Sequence, residues 1–144
     1  MSRVLQRSCS VSLPTVARGE GAYLIDSNGK QYLDACGGAA ISCLGHSNQS
    51  VKKAIQEQLD QVAFAHTSFF TNQPQEELAE HLINHAPNGF SSVYFVSGGS
   101  EAVETALKLA RQYFVEVGLT DKKYIIARRQ SYHGNTVGAL SVGG

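Results

Sequence analysis

The stretch from Ser92 to Ala127 constrains the fold more than any other part of the chain. Ser92-Val93-Tyr94-Phe95-Val96-Ser97 runs β-branched and aromatic residues almost without a break, the pattern of a buried strand. Two glycines then lead into a helical period that places Val103, Leu107, Ala110, Phe114 and Val117 on one face, and Gly118 ends it. The spacing predicts a helix from about Ser100 to Val117. Tyr124-Ile125-Ile126-Ala127 reads as the next strand. Strand, helix, strand is one βαβ unit, which predicts an α/β fold built on a mostly parallel sheet.

Upstream, Ala22–Asp26 and Gln31–Ala35 are short strand-like runs. Between them lies Ser27-Asn28-Gly29-Lys30, where Asn-Gly supplies the positive φ angles of a tight hairpin. Gly37-Gly38-Ala39-Ala40 and Leu44-Gly45-His46 follow, small residues that let the backbone approach something closely. Val51, Ile55, Leu59 and Val62 then mark a helix with Ser47 or Asn48 as its cap. Phe64–Asn72 breaks that period and reads as a loop. A second helix opens at Pro74, carries Leu78 and Leu82 inward, and stops at Pro87-Asn88-Gly89. Its His81 and His85 share a face but lack a third metal ligand, so they read as surface residues and no metal site is expected. Asn135–Ser141 is too short to assign.

Charge and cysteine content narrow the function. The 144 residues carry 12 Lys+Arg against 12 Asp+Glu, with a sequence pI near 7.0. Nucleic acids and anionic membranes are normally met by an excess of basic residues, so neither partner is expected. No apolar run approaches the ~20 residues that span a bilayer, and the chain reads as soluble. Cys9, Cys36 and Cys43 are too few, and odd in number, for a disulfide framework, which points to reduced thiols in a cytoplasmic protein. The first nineteen residues are basic, Ser-rich and free of acids, with Ser2, Ser8, Ser10, Ser12, Arg3, Arg7 and Arg18. An ordinary N-terminal arm is the preferred reading. The alternative is a transit peptide, which would place the protein in the mitochondrial matrix.

Three stretches could carry chemistry. Val96-Ser97-Gly98-Gly99-Ser100-Glu101-Ala102 lies where a strand turns into a long helix. The first amides of a helix lack intrahelical partners and sit at its partly positive end. Glycines there remove the Cβ atoms that would hold an anion away. The arrangement describes a phosphate cradle; a plain helix start capped by Ser100 explains the same residues equally well. It is neither Walker A nor the G-x-G-x-x-G dinucleotide fingerprint, because position 100 is Ser and position 103 is Val. Ser131-Tyr132-His133-Gly134 follows the second strand of the βαβ unit, and so falls on the same rim of the predicted sheet. Tyr132 could stack on a flat ring and His133 could hold a polar substituent. In His66-Thr67-Ser68-Phe69-Phe70-Thr71-Asn72 the paired aromatics fit a substrate pocket, a subunit contact, or a loop tucked into the core.

The order of these stretches resembles a known family. Gly19-Glu20-Gly21-Ala22-Tyr23-Leu24-Ile25-Asp26, Gly29–Asp34 and Gly45-His46 are similar to the opening of the class III (ω-amino) aminotransferases. Ser97-Gly98-Gly99-Ser100-Glu101-Ala102 and the helix to Arg111 resemble that family's phosphate loop and helix. Ser131–Thr136 resembles its aromatic loop. The resemblance implies the pyridoxal-phosphate transferase fold of type I. Residues 1–50 would be the N-terminal arm and hairpin of the small domain, and 51–144 the start of the large cofactor-binding domain.

It also implies pyridoxal 5'-phosphate as cofactor. Gly99 and Ser100 would take its phosphate, Tyr132 would stack on its ring, and His133 would support the ring or its phenolic oxygen. Phe69 and Phe70 would line the substrate pocket, near a dimer interface. Ala40 would leave that pocket wider where several relatives carry a bulky aromatic. Gly98 departs from the Ser or Thr of many relatives.

The implied reaction moves an amino group from an amine or ω-amino acid to a keto acid such as pyruvate or 2-oxoglutarate, in a homodimer or larger assembly. The family uses a lysine that forms a Schiff base with the cofactor and an aspartate that protonates its ring nitrogen. Lys30, Lys52, Lys53, Lys108, Lys122 and Lys123 all stand in other contexts. The expectation is therefore an N-terminal portion of such an enzyme, inactive alone and with no catalytic residue of its own. The rival reading is a non-catalytic module that binds a phosphorylated ligand at the Gly-Ser loop. A third is a non-functional piece that exposes a sheet edge and aggregates.

Overall fold

A computed structural model describes residues 3–8 and 10–143. Ser2 and Cys9, which entered the readings of the arm and of the thiols, lie outside the described residues, as does Gly144. The chain divides into two compact units, Met1–Phe70 and Thr71–Gly144.

The first unit is built on a three-stranded antiparallel sheet in the order β1 (Val16–Glu20), β2 (Tyr23–Asp26), β3 (Gln31–Leu33). The predicted hairpin is the β2–β3 pair, with Tyr23 opposite Leu33 and Ile25 opposite Gln31. Gly29 takes φ +83° in its turn. Asp26 fixes that turn from within: its carboxylate accepts from the amides of Asn28 and Lys30, both at 2.9 Å, and from the Tyr32 hydroxyl at 3.0 Å. Burial pushes its pKa up. The Lys30 and Asn28 amides, the Tyr32 hydroxyl and the Lys30 charge outweigh that and hold it below the usual carboxylate range. Asp26 is only 5% exposed, beside Ile25 at 2%.

Strand β1 has no counterpart in the sequence reading. Its register shifts between Val16 and Arg18, and an exposed Arg18–Glu20 ion pair of 2.7 Å replaces the apolar alternation that marks a strand. It pairs through the turn at Gly21, φ +55°.

After β3 the chain makes a single left-handed turn, α1 (Gly37–Ala40), with φ between +55° and +68° at all four residues. Glycine tolerates that region, while Ala39 and Ala40 are strained there by about 1–2 kcal/mol each. Helix α2 (Gln49–Gln61) follows. Its cap is Asn48, whose side chain accepts from Val51 N at 3.1 Å, whereas Ser47 accepts from Gly21 N at 2.8 Å.

The second unit contains α3 (Gln73–His85), α4 (Gly99–Glu116) and α5 (Val137–Ser141). Asn72 caps α3 through Gln75 N at 3.0 Å, Pro74 stands in its first turn, and Glu76 and His85 match the helix dipole. Leu78 and Leu82, expected to turn inward, are about half exposed.

The predicted parallel pairing of the βαβ unit is not formed among the described residues. Neither Ser92–Ser97 nor Tyr124–Ala127 joins a ladder, and Ile126 is 98% exposed where burial was expected. The physical reason is that a strand requires hydrogen-bonded neighbours as well as an apolar sequence. The two segments do not pair with each other, and no other described segment lies against them as a strand. The α/β class stands, as a partial α/β assembly of a small sheet and helices, with its described sheet antiparallel.

Candidate functional site

The candidate site lies in the second unit, where the tip of α4 meets the segment that follows Tyr132. Gly98 enters α4 in extended backbone and provides no side-chain cap. The first intrahelical bond runs from Ala102 N to Gly98 O at 3.0 Å, so the amides of Gly99, Ser100 and Glu101 precede the helical ladder. A Cβ built on Gly99 would meet nothing within 4 Å, so the approach to the tip at that residue is open. The Glu101 carboxylate folds back toward Gly98, 2.7 Å from where a Cβ would stand, and fills that side.

Ser100, expected as a cap, lies inside the first turn of α4 and makes no cap bond, since the N-cap position falls on Gly98. The Ser100 Oγ accepts from Asn135 N at 2.9 Å, which leaves its own O–H free to donate elsewhere. Gly134 sits directly on it: a Cβ there would lie 2.7 Å from Ser100 Cα and Oγ. Gly134 is buried with φ +134°, so this approach demands glycine on both steric and conformational grounds. The structure thus brings the end of the Tyr-His-Gly loop onto the Gly-Ser tip through Gly134 and Asn135. Tyr132 and His133 are exposed on that loop, Tyr132 at 82%.

One turn further along α4, Glu104 carries a second link that the sequence reading missed. Thr136 Oγ1 donates to Glu104 Oε2 at 2.7 Å, and the backbone amides of Gly138 and Ala139 lie near the same carboxylate. Thr136 in turn caps α5 by accepting from Ala139 N at 3.3 Å. The Thr136 hydroxyl is the main cause that holds Glu104 below the ordinary glutamate range. Burial opposes it, and the two amides and the Lys108 charge reinforce it. The signal was present in the i, i+4 spacing of Ser100 and Glu104, which puts both on one helix face.

The remaining candidates, Ala40, Phe69 and Phe70, belong to the first unit. Ala40 ends the left-handed turn, which one carboxylate grips from both sides. Cys36 Sγ donates to Asp34 Oδ1 at 3.4 Å, Ser42 Oγ donates to Asp34 Oδ2 at 2.8 Å, and His46 Nε2 lies 2.8 Å from the same oxygen. The Ser42 and Cys36 donors lead in holding Asp34 below the usual carboxylate range. Burial opposes them, and His46 adds to the lowering through its hydrogen bond and charge. Phe69 and Phe70 are exposed, and both amides donate to His66 O at 3.0 Å.

Comparison with known proteins bears on the whole chain. Residues 5–144 match the family model described as aminotransferase class-III. An uncharacterized aminotransferase of Schizosaccharomyces pombe is 50% identical over 131 residues, 91% of this chain and 28% of the relative. One from Bacillus subtilis is 43% identical over 143 residues, 99% of this chain and 32% of the relative. Among solved structures, the ω-transaminase of Pseudomonas jessenii in complex with PMP superposes with a TM-score of 0.88 at 36% identity, over 97% of this chain and 33% of that one. The chain thus spans about three-tenths of the length of the curated relatives it matches.

Proposed function

The chain belongs to the class III aminotransferases, and from that premise we propose that it supplies the phosphate- and ring-binding wall of a pyridoxal-phosphate site. A bound cofactor would supply the carbonyl chemistry for moving an amino group from an amine or ω-amino acid to a keto acid such as pyruvate or 2-oxoglutarate. This chain's part is to bind and orient. The free amides at the tip of α4 and the Ser100 hydroxyl hold the phosphate, and the open approach at Gly99 admits it. Tyr132 covers one face of the ring, and His133 supports the ring or its phenolic oxygen. Phe69, Phe70 and Ala40 border the amine, with Ala40 leaving room for bulk. The reading assigns 1–50 to the small domain and 51–144 to the large one, and carries with it a homodimer in the cytoplasm. Among the described residues no helix is long and apolar enough to cross a membrane.

The observation that carries this reading is the bond from Asn135 N to Ser100 Oγ, with Gly134 seated on the same serine. It joins an anion-binding helix tip to an exposed aromatic loop, and a phosphorylated aromatic ring needs both. The test uses pyridoxamine 5'-phosphate, which lacks the aldehyde that would react with surface lysines. Titration should give tighter binding than inorganic phosphate or ATP, with loss on Ser100→Glu. Preference for ATP would instead favour a nucleotide-binding module.

A further inference from the structure

We propose that Glu104 is a positioning residue, which sets where the loop carrying Tyr132 stands relative to the tip of α4. The inference rests on the cofactor reading above and adds to it a residue that touches neither phosphate nor ring. Ser100 and Glu104 are four residues apart, about 6 Å along the helix axis. Ser100 holds the loop at Asn135 N, and Glu104 holds it at the Thr136 hydroxyl, which in turn accepts from Ala139 N. A single attachment leaves a loop free to swivel, and two on one rigid helix fix its direction.

The fit around the second attachment is close. A Cβ on Gly138 would meet the Glu104 carboxylate, which would have to move off its Thr136 partner to make room. Helix α5 has five residues, too few to persist without outside support, and Ala139 within it is fully buried. Its order therefore depends on the α4 carboxylate, and the order of the preceding loop depends on α5.

The experiment titrates the 144-residue chain and its Glu104→Gln variant with pyridoxamine 5'-phosphate and, separately, with inorganic phosphate, while amide exchange is followed residue by residue. Glutamine keeps the size but removes the charge that the Thr136 hydroxyl donates to. The expected result is a tenfold or larger rise in Kd for pyridoxamine 5'-phosphate, inorganic phosphate within twofold of the parent, and faster exchange at Gly138 and Ala139 with α4 unchanged. A cap without a positioning role would not split the two ligands.

Equal loss of both ligands, or no loss of either, overturns the proposal, as does unaltered exchange at Gly138 and Ala139 whatever the ligands do. If the parent chain itself binds the two ligands alike, the cofactor reading fails and takes this inference with it. If the parent prefers pyridoxamine 5'-phosphate and the variant does too, this inference alone fails. Thr136→Val, which removes only the hydroxyl, gives the same contrast should Glu104→Gln unfold.

Discussion

Replacing Gly134 by alanine tests the joint between helix tip and aromatic loop most directly. The new methyl carbon would stand 2.7 Å from Ser100 Cα and Oγ and 2.9 Å from its Cβ, where ordinary contact begins near 3.4 Å. The loop must therefore withdraw by at least several tenths of an ångström, which stretches the 2.9 Å bond from Asn135 N to Ser100 Oγ. A backbone at φ +134° adds roughly 1–3 kcal/mol of strain for a residue with a side chain. Loss of the hydrogen bond adds about 0.5–1.5 kcal/mol. Together they disfavour the docked loop by about 1.5–4.5 kcal/mol, enough to leave it mostly undocked.

The loss in ligand affinity should be smaller than that and bounded. Undocking removes the Tyr132 contact but leaves the α4 amides in place, so at most the stacking contribution is lost. Stacking of a flat heterocycle on an aromatic side chain contributes about 1–3 kcal/mol, a factor of roughly 5–150 in Kd. Calorimetric titration with pyridoxamine 5'-phosphate should show a loss within that window and little change for inorganic phosphate. Gly118→Ala is the control. It places alanine at another positive φ, +79°, with nothing within 4 Å of the new carbon, and should leave both affinities alone. A Gly134→Ala chain that binds pyridoxamine 5'-phosphate within twofold of the parent would refute the argument.

Ser100→Ala should weaken inorganic phosphate by about tenfold through loss of the hydroxyl donor, and pyridoxamine 5'-phosphate by more, because it also removes the acceptor for Asn135 N that docks the loop; titration of both ligands checks this. Asn48→Ala and Asn72→Ala should each lower stability by about 1 kcal/mol through loss of a helix cap, measured by denaturant unfolding; because they sit in different units, the double variant should show the sum. Asp34, held below its ordinary value by Ser42, Cys36 and His46, contributes stability that is present above the unfolded carboxylate value near 3.8 and lost as pH falls through the lower folded value. Acid titration followed by amide exchange at Ile41 and Ser42 should show the left-handed turn opening below pH 4, and Asp34→Asn should have it open already at neutral pH.

Local chemistry was legible in the sequence. Asn-Gly placed the β2–β3 hairpin, Asn48 was one of two residues offered as a cap, and the apolar period of α4 gave its length to within a residue at either end. Each rests on interactions within a few residues, which spacing records directly. Strand β1 was illegible because its register shifts and its side chains form an exposed ion pair. Helix α5 was illegible because its order comes from Glu104, more than thirty residues away. The same holds for the site: residue type and spacing single out the Gly-Ser tip and the Tyr-His-Gly loop, but nothing in either motif says that Asn135 N reaches Ser100 Oγ.

The most apolar segments were misread for a related reason, and it decides which predictions can be made. Ser92–Ser97 and Tyr124–Ala127 have the composition of buried strands, yet composition reports what a segment needs rather than what lies against it. Val51, Ile55 and Leu59 on α2 keep more than a third of their surface open. Truncating Ile126, 98% exposed, would leave little measurable trace, since it has almost no burial to lose. The polar clasps differ: among the described residues no buried side-chain nitrogen or oxygen lacks a partner. Asp34 and Glu104 are thus complete within their own units, and substitutions there act on contacts already made.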